Sequence, residues 1–479
     1  MTRTRLGNAL PALFALSAGT MFGQVAAPDA GLSYQGLISV PGWTTTGSTA
    51  ESVDLASFNP VTQILYYADH LAHGVMAIDT KANSVLGWVP VPNCTGSCPS
   101  GVLVIPDLQL LVATDRGTEV YIFDLKLPNT PPVAVIVPSG IDELDYDPIH
   151  KRIYIGNTTS PYFLTGIDLR GPNANTVTAS ISLPGPPEQA RFNPVDGLIY
   201  LTVPSVGVLV IDPEAGTAGT GDLVATYPIT NCSGNGNWID PVTNIMVVGC
   251  NNVAGEAMVS LTDGTVLARF PQVNRDDIMG FNPGTRRWYS GSGSNTNDTG
   301  ACPWTNPGDV FVFPVVGVFV AGTASTPTGT LAGVTCSGRG GSTIAVDTIH
   351  NNIFVPVAQY PLDPFSNSTG KPGIMVFHDP APVQATPAHS QAPLGGNGVA
   401  DFALQGRTMY ATAVLNGLAD APTELVVTTT VAIEEVPCFE IGGAAYCIGT
   451  LIGDPLIGGS TLLANGYKRL ATGTIAPVK

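Results

Sequence analysis

The chain has 479 residues, a formal net charge of −17 and only 11% charged residues. This acidic balance argues against nucleic acid as a partner, because phosphate backbones are bound by clustered Lys and Arg. The 55 glycines and 41 prolines, set between short apolar runs, are typical of an all-β protein with frequent turns.

Residues 1–27 have the pattern of an export signal. Arg3 and Arg5 precede an apolar run at 10–16, and small residues follow at 23–27. No later run reaches the roughly 18 to 20 apolar residues of a spanning helix. The sequence therefore predicts a secreted protein, extracellular or periplasmic, with no membrane span.

Eight cysteines fall in local pairs, as expected for disulfides in an exported chain: Cys94 with Cys98, Cys232 with Cys250, Cys302 with Cys336, and Cys438 with Cys447. The alternative for the first pair is half of a zinc site, but no matching Cys/His half follows at a suitable spacing.

One phrase repeats along the chain. FNPVTQILYYAD (58–69) returns at 104–115, 146–157, 192–203, 239–250, 281–292 and 346–357. In the first unit, apolar runs predict strands at 52–58, 64–68, 75–78 and 85–89. Four short antiparallel strands joined by tight turns, copied at this period, predict the blade of a β-propeller.

Seven units are clear, and a degenerate eighth candidate lies at 397–431. Two arrangements follow: seven blades with a C-terminal appendage, which we favour, or eight blades. In both, the strand at 36–41 is expected to become the outer strand of the last blade and so remove an open sheet edge. The domain boundaries that follow are a propeller at 34–395 and a β-rich extension or eighth blade at 396–479.

The phrase DYDPIHKRIYIGN (145–157) resembles the YVTN-type repeat of seven-bladed propellers, a group that includes lactonase-like proteins. The resemblance covers roughly residues 50–380. It implies a seven-bladed propeller fold. Proteins with similar repeats have different functions, since they include lactonases, surface-layer proteins and plain binding scaffolds. Fold alone therefore leaves the function open.

The innermost strand of each blade begins beside the central channel. The residue five positions before each turn is polar in all seven units: Asp54, Ser100, Asp142, Glu188, Asn235, Asp277 and Ser342. Calcium binds carboxylate, amide and carbonyl oxygens. We therefore predict a calcium site formed by Asp54, Asp142, Glu188, Asn235 and Asp277, with Glu143, Gln189, Asn237 and Asp276 as neighbours able to complete it. The alternative is a polar lining of a solvent-filled channel.

Two histidines, His70 and His73, fall in a loop on the same predicted face. Either is a candidate general base or metal ligand, and the alternative is a solvated surface position. Arg116, Arg275 and Arg339 lie in loops of this face and are candidates to orient an anionic group.

Two function classes follow from these residues. The first is a metal-dependent hydrolase that acts on a small-molecule lactone or ester. The second is a non-catalytic module that binds an extracellular protein or glycan, with a structural metal or none. Whether the chain is an enzyme stays open at this point.

Overall fold

The computed structural model describes residues 26–43, 53–215, 221–252, 254–296, 314–322, 328–360 and 371–381, with residues 299 and 301 and short strands between 400 and 477. Every regular element in these residues is a β-strand, which confirms the all-β prediction. The predicted signal at 1–27 lies almost wholly outside this range.

The described strands form seven four-stranded antiparallel sheets, the blades of a β-propeller. Blade one contains β2 (Val53–Asn59), β3 (Ile64–Asp69), β4 (Gly74–Asp79) and β5 (Ser84–Pro90). Blade two contains β6 (Val102–Ile105), β7 (Leu110–Thr114), β8 (Glu119–Asp124) and β9 (Val133–Ile136). Blade three contains β10 (Ile141–Asp147), β11 (Arg152–Asn157), β12 (Phe163–Asp168) and β13 (Thr176–Ser182).

Blades four to six follow in the same order. Blade four contains β14 (Ala190–Asn193), β15 (Leu198–Val203), β16 (Gly207–Asp212) and β17 (Asp222–Tyr227). Blade five contains β18 (Gly234–Asp240), β19 (Ile245–Cys250), β20 (Glu256–Ser260) and β21 (Val266–Phe270). Blade six contains β22 (Met279–Asn282), β23 (Arg287–Ser292), β24 (Val315–Val320) and β25 (Thr330–Cys336).

Blade seven joins the two ends of the propeller. It contains β26 (Ala345–Asp347), β27 (Asn352–Tyr360), β28 (Lys371–His378) and, as its outer strand, β1 (Ser33–Ile38). In this antiparallel pair Ile38 lies opposite Ile374. The predicted closure is confirmed, and an outer edge of β28 that would otherwise be unpaired is covered.

The eighth candidate unit does not enter the ring. Its strands β29 (Ala400–Gln405), β30 (Thr408–Ala413) and β31 (Leu425–Thr428) form a separate three-stranded sheet. Two further hairpins pair β32 (Phe439–Ile441) with β33 (Ala444–Tyr446) and β34 (Tyr467–Arg469) with β35 (Ile475–Pro477). The favoured arrangement of seven blades and a C-terminal β extension is the one observed.

The repeated Asn/Asp-Pro phrase forms the turn between the first two strands of a blade. Asn59 Oδ1 accepts hydrogen bonds from the amides of Val61 and Thr62, and Gln63 then adopts a left-handed φ of 57°. A short polar side chain that caps a turn in this way explains why the phrase recurs. Five other blades have a capping Asn or Asp at the same position of this turn: Asp147, Asn193, Asp240, Asn282 and Asp347.

The core lies between neighbouring blades. The second strand of a blade is buried almost throughout, as in β19, because neighbouring blades cover both of its faces. Large side chains cross these interfaces: the Tyr67 hydroxyl donates to the Phe354 carbonyl (3.0 Å), and Trp288 Nε1 donates to the Trp238 carbonyl (2.9 Å). The blades are thereby fixed relative to one another.

Two predicted disulfides are present, Cys94–Cys98 and Cys232–Cys250. The first rules out the zinc alternative for Cys94 and Cys98. Cys336 is also disulfide-bonded, whereas Cys302, Cys438 and Cys447 lie outside the described residues. Within the described part of the chain, no helix is long and apolar enough to cross a membrane.

Candidate functional site

The innermost strands of the seven blades surround the central channel. Neighbouring innermost strands contact one another in a closed circuit, from β2 against β6 round to β26 against β2. The seven aligned polar residues lie at or just before the start of these strands, at one mouth of the channel. We call this set the mouth ring: Asp54, Ser100, Asp142, Glu188, Asn235, Asp277 and Ser342.

Three mouth-ring residues sit at irregularities in strand pairing. The register shifts between Val53 and Ala56, between Ile141 and Leu144, and between Gly234 and Asn237. These intervals contain Asp54, Asp142 and Asn235. An extra residue in a strand turns side chains away from the regular alternation, and bulges are common beside functional sites. Here they free the mouth-ring residues from regular pairing.

Close contacts between blades hold the mouth ring together. The Leu55 amide donates to the Ser100 carbonyl (3.4 Å), and the Asp277 amide donates to the Ser342 carbonyl (3.3 Å). A side chain at Gly101 would collide with the backbone of Asp142, and one at Gly236 with that of Asp277. Glycine at these two positions lets adjacent mouth-ring residues approach.

The carboxyl groups of the mouth ring act on one another. Burial and the charge of Asp54 raise the pKa of Asp142 to about 7. Burial and the neighbouring charges, above all that of Asp142, raise the pKa of Glu188 to about 8. Burial and Asp54 raise the pKa of Asp277 to about 7. Like charges brought together out of water disfavour ionisation, so these four side chains share one electrostatic environment.

Asn235 completes the predicted set. Its amide Nδ2 lies 3.5 Å from Asp277 Oδ1, and this contact favours the ionised form of the carboxyl. The structure thus brings together all five residues that were predicted as calcium ligands.

A second polar layer lies directly beneath the mouth ring. Gln189 Oε1 accepts hydrogen bonds from the Asn237 amide (2.9 Å) and from Arg191 (3.1 Å), whose guanidinium lies 4.3 Å from the Trp238 ring centre. Glu143 Oε2 and Asn237 Oδ1 are buried, and no described residue donates a hydrogen bond to either. Burial and the charge of Glu188 raise the pKa of Glu143 well above its usual range. Two oxygens here therefore need a partner, which a cation or water would supply.

The two predicted histidines are placed differently. His70 Nε2 lies 3.6 Å from Asp54 Oδ2, and its side chain is only 14% exposed. His73 is exposed at a left-handed position (φ 53°) in the turn between β3 and β4. Of the two, only His70 contacts the mouth ring.

Arg116 lies at the mouth as well. Its Nη1 is 4.0 Å from Asp54 Oδ2, and its charge favours ionisation of Asp142, Glu188 and Asp277. The guanidinium is 47% exposed. It is therefore positioned to meet both the carboxylates and a molecule that arrives from solvent.

The mouth ring is not a compact metal cluster. Among the described residues, no group of three or more His, Cys, Asp and Glu side chains is placed to hold one ion. Calcium also accepts amide, hydroxyl and water oxygens. Direct ligation of one ion by three ring carboxylates is therefore not the arrangement observed in the described residues. Asp276 takes no part, because its carboxylate packs against Gly249 behind the ring.

Two surface clefts are lined by residues outside the mouth ring. One is lined by residues that include Pro204, Pro228 and Cys232, beside the disulfide. The other is lined by residues that include Trp43 and Trp88 of blade one. The chemistry of the mouth ring does not depend on either cleft.

Comparison with known protein families and with curated proteins finds no match to this chain. The functional assignment therefore rests on the residues of the propeller itself.

Two notable residues escaped prediction. Arg191 is the basic member of the second layer, and Glu256 is a buried acid on β20. Arg191 carried a usable signal, since it is a charged residue within an innermost strand. Glu256 carried none, because its position in the repeat shows no pattern of polar residues.

Proposed function

We propose that the mouth ring binds a hard divalent cation, with calcium as the natural candidate. The observation that supports this is the burial of the ring carboxyls together with the charges they exert on one another, which raises three of their pKa values to about 7 or 8. Acids whose charges act on one another disfavour ionisation in the absence of a cation. A bound divalent ion would offset that repulsion and accept oxygen ligands from several blades.

The ligands would come from the mouth ring and the layer beneath it. Asp142, Glu188 and Asp277 supply charge, and Asn235 supplies an amide. Glu143 Oε2, buried and without a donor among the described residues, is a further ligand. With no three carboxylates placed around one point, water would fill the remaining positions.

The reaction class that suits this site is hydrolysis of a lactone or ester. A bound divalent cation would polarise a carbonyl and lower the pKa of water. His70 Nε2 lies 3.6 Å from Asp54 Oδ2, too far for a hydrogen bond, and the imidazole would take a proton from water. Arg116, half exposed beside Asp54, would orient an anionic group of the substrate.

Hydrolysis tests this reaction class. The purified protein is assayed against a panel of lactones and aryl esters, with calcium and with a chelator. We expect turnover that needs the cation, falls in His70→Ala and persists in the matched control His73→Ala. Equal turnover in the two histidine variants would reject His70 as the base, and no turnover on any substrate would reject the hydrolase.

A second candidate is a non-catalytic binding module, in which the ring cation is structural. The cleft beside Cys232–Cys250 favours it, because a disulfide restrains loops on the face that carries the mouth ring. The partner would be an extracellular protein or glycan. Substitutions that line this cleft would then weaken partner capture while cation binding at the mouth ring stays intact.

We propose that the protein acts outside the cytoplasm. Disulfides persist in oxidising compartments, and two lie within the described residues. Together with the export pattern at residues 1–27, they support a secreted protein, extracellular or periplasmic. Secretion of the full-length chain with loss of the first residues, checked by mass spectrometry, tests this location.

A further inference from the structure

A second group of acids lies behind the mouth ring, between blades five and six. Glu256 begins β20, Asp276 precedes the mouth-ring residue Asp277, and Ser290 lies on β23. Glu256 is 0% exposed and Asp276 is 1% exposed. The charge of Asp276 acts on Glu256, and the Ser290 hydroxyl lies beside both carboxyls.

The two acids differ in their hydrogen bonds. Glu256 Oε2 accepts from the Cys250 amide (3.1 Å), and Oε1 accepts the one proton of the Ser290 hydroxyl (3.2 Å). The same hydroxyl also favours ionisation of Asp276, but its one proton cannot serve both acids, and neither Asp276 oxygen has a hydrogen-bond partner while Ser290 donates to Glu256. A fully buried carboxyl with two unpartnered oxygens is rare in folded proteins.

The charge of Arg269 favours ionisation of Glu256, but only at a distance. The Arg269 guanidinium donates to the Thr230 carbonyl, and its Nη1 lies 3.5 Å from Cys250 Sγ. Within the described residues it makes no ion pair with Glu256 or Asp276. A buried charge without a partner is strongly unfavourable, so the pair needs a neutralising species.

The absence of a side chain at Gly249 leaves space for the Asp276 carboxylate. A side chain at Gly249 would collide with this carboxylate. The Cys232–Cys250 disulfide ties the end of β19, the strand that carries Gly249, to a neighbouring loop. The acids are therefore held in a fixed recess between two blades.

We propose that Glu256, Asp276 and Ser290 form a second, buried site for a hard divalent cation such as calcium. Two carboxylates balance the charge of one divalent ion, and carboxylate and hydroxyl oxygens are its preferred ligands. A shared proton would leave at least one oxygen of Asp276 without a partner, whereas a cation satisfies both oxygens together. The ion would link blade five to blade six.

This site does not rest on the function proposed for the mouth ring, although the charge of Asp277 reaches Asp276. It is enclosed, so its ion would keep few water molecules, whereas the mouth-ring ion would keep several. The lifetime of terbium luminescence in H₂O and D₂O counts the waters on a bound ion, and terbium replaces calcium at oxygen sites. Terbium bound at the two sites should therefore differ in its luminescence lifetime.

The test uses the purified protein, loaded with calcium and freed of loosely bound ions, with metal content measured by mass spectrometry. Glu256→Gln/Asp276→Asn keeps the shape of the recess and removes its charge. We expect this variant to hold one calcium ion fewer than the wild type. The control Glu188→Gln/Asp277→Asn changes the mouth ring only, and we expect it to retain the buried ion.

Terbium gives a second readout that does not depend on folding of the variants. In the wild type we expect a long-lived component with fewer bound waters than the mouth-ring ion, which the mouth-ring control keeps. Ser290→Ala should weaken this component's affinity roughly tenfold. Absence of such a component in the wild type, or equal calcium content in the wild type and Glu256→Gln/Asp276→Asn, would overturn the proposal. Loss of the mouth-ring ion alone would not contradict the proposed buried site.

Discussion

Replacement of Glu188 by glutamine should stabilise the metal-free protein at neutral pH. The folded protein raises the pKa of Glu188 from 4.5 to about 8. Between these values the folded state binds more protons than the unfolded state, so stability is lost as pH rises through this window. At pH 7 this costs about 3 kcal/mol, since each unit between 4.5 and 7 is worth about 1.4 kcal/mol. Glutamine carries no such cost.

Urea denaturation of chelator-treated protein measures this effect. Glu188→Gln should exceed the wild type by about 3 kcal/mol at pH 7 and by about 1 kcal/mol at pH 5, with unchanged m-values. Calcium should then stabilise the wild type more than the variant. Asp222→Asn, an exposed change on β17, serves as the control and should show no such dependence on pH. A variant no more stable than the wild type at pH 7, or a gain that is equal at both pH values, would refute the reasoning.

Three further predictions concern the site and the closure of the ring. Asp277→Ala should weaken calcium affinity by roughly 10- to 100-fold and abolish hydrolysis with an unchanged circular dichroism spectrum; unaltered affinity would exclude Asp277 as a ligand. His70→Ala should lower turnover by roughly 100-fold with calcium affinity intact, whereas His73→Ala should match the wild type; equal loss in both would contradict the assigned roles. Deletion of residues 1–39 removes β1 and exposes the edge of β28, so the melting temperature should fall and aggregation should rise. An unchanged melting temperature would show that β1 is dispensable.

Most of the fold was accessible from the sequence because each blade repeats the same local chemistry. Asn59 and its counterparts cap a turn through their side chains, and that requirement leaves a visible mark at a regular period. Ring closure by β1 followed from the need to cover a sheet edge. The count of seven blades was uncertain because 397–431 has strand-like patterning without the capping residue.

The site was only partly predictable. Alignment on the turn found the mouth ring, since strand position determines which residues surround the channel. It named Asp277 as the ring residue but also kept its neighbour Asp276 as a residue able to complete the site, because the sequence does not show where an adjacent carboxylate packs. Nor could it find Glu256, whose partners Asp276 and Ser290 are distant in sequence and meet only when blades five and six pack together.

The central claim is that the mouth ring binds a divalent cation. Calcium content, measured on the wild type and on Asp142→Asn/Glu188→Gln/Asp277→Asn after equilibration in the same calcium buffer, tests it most directly. Chelator melts accompany the measurement. We predict that the wild type holds one calcium ion more than the variant, and that chelation lowers the melting temperature of the wild type further. Equal calcium content, with equal response to the chelator, would contradict the account.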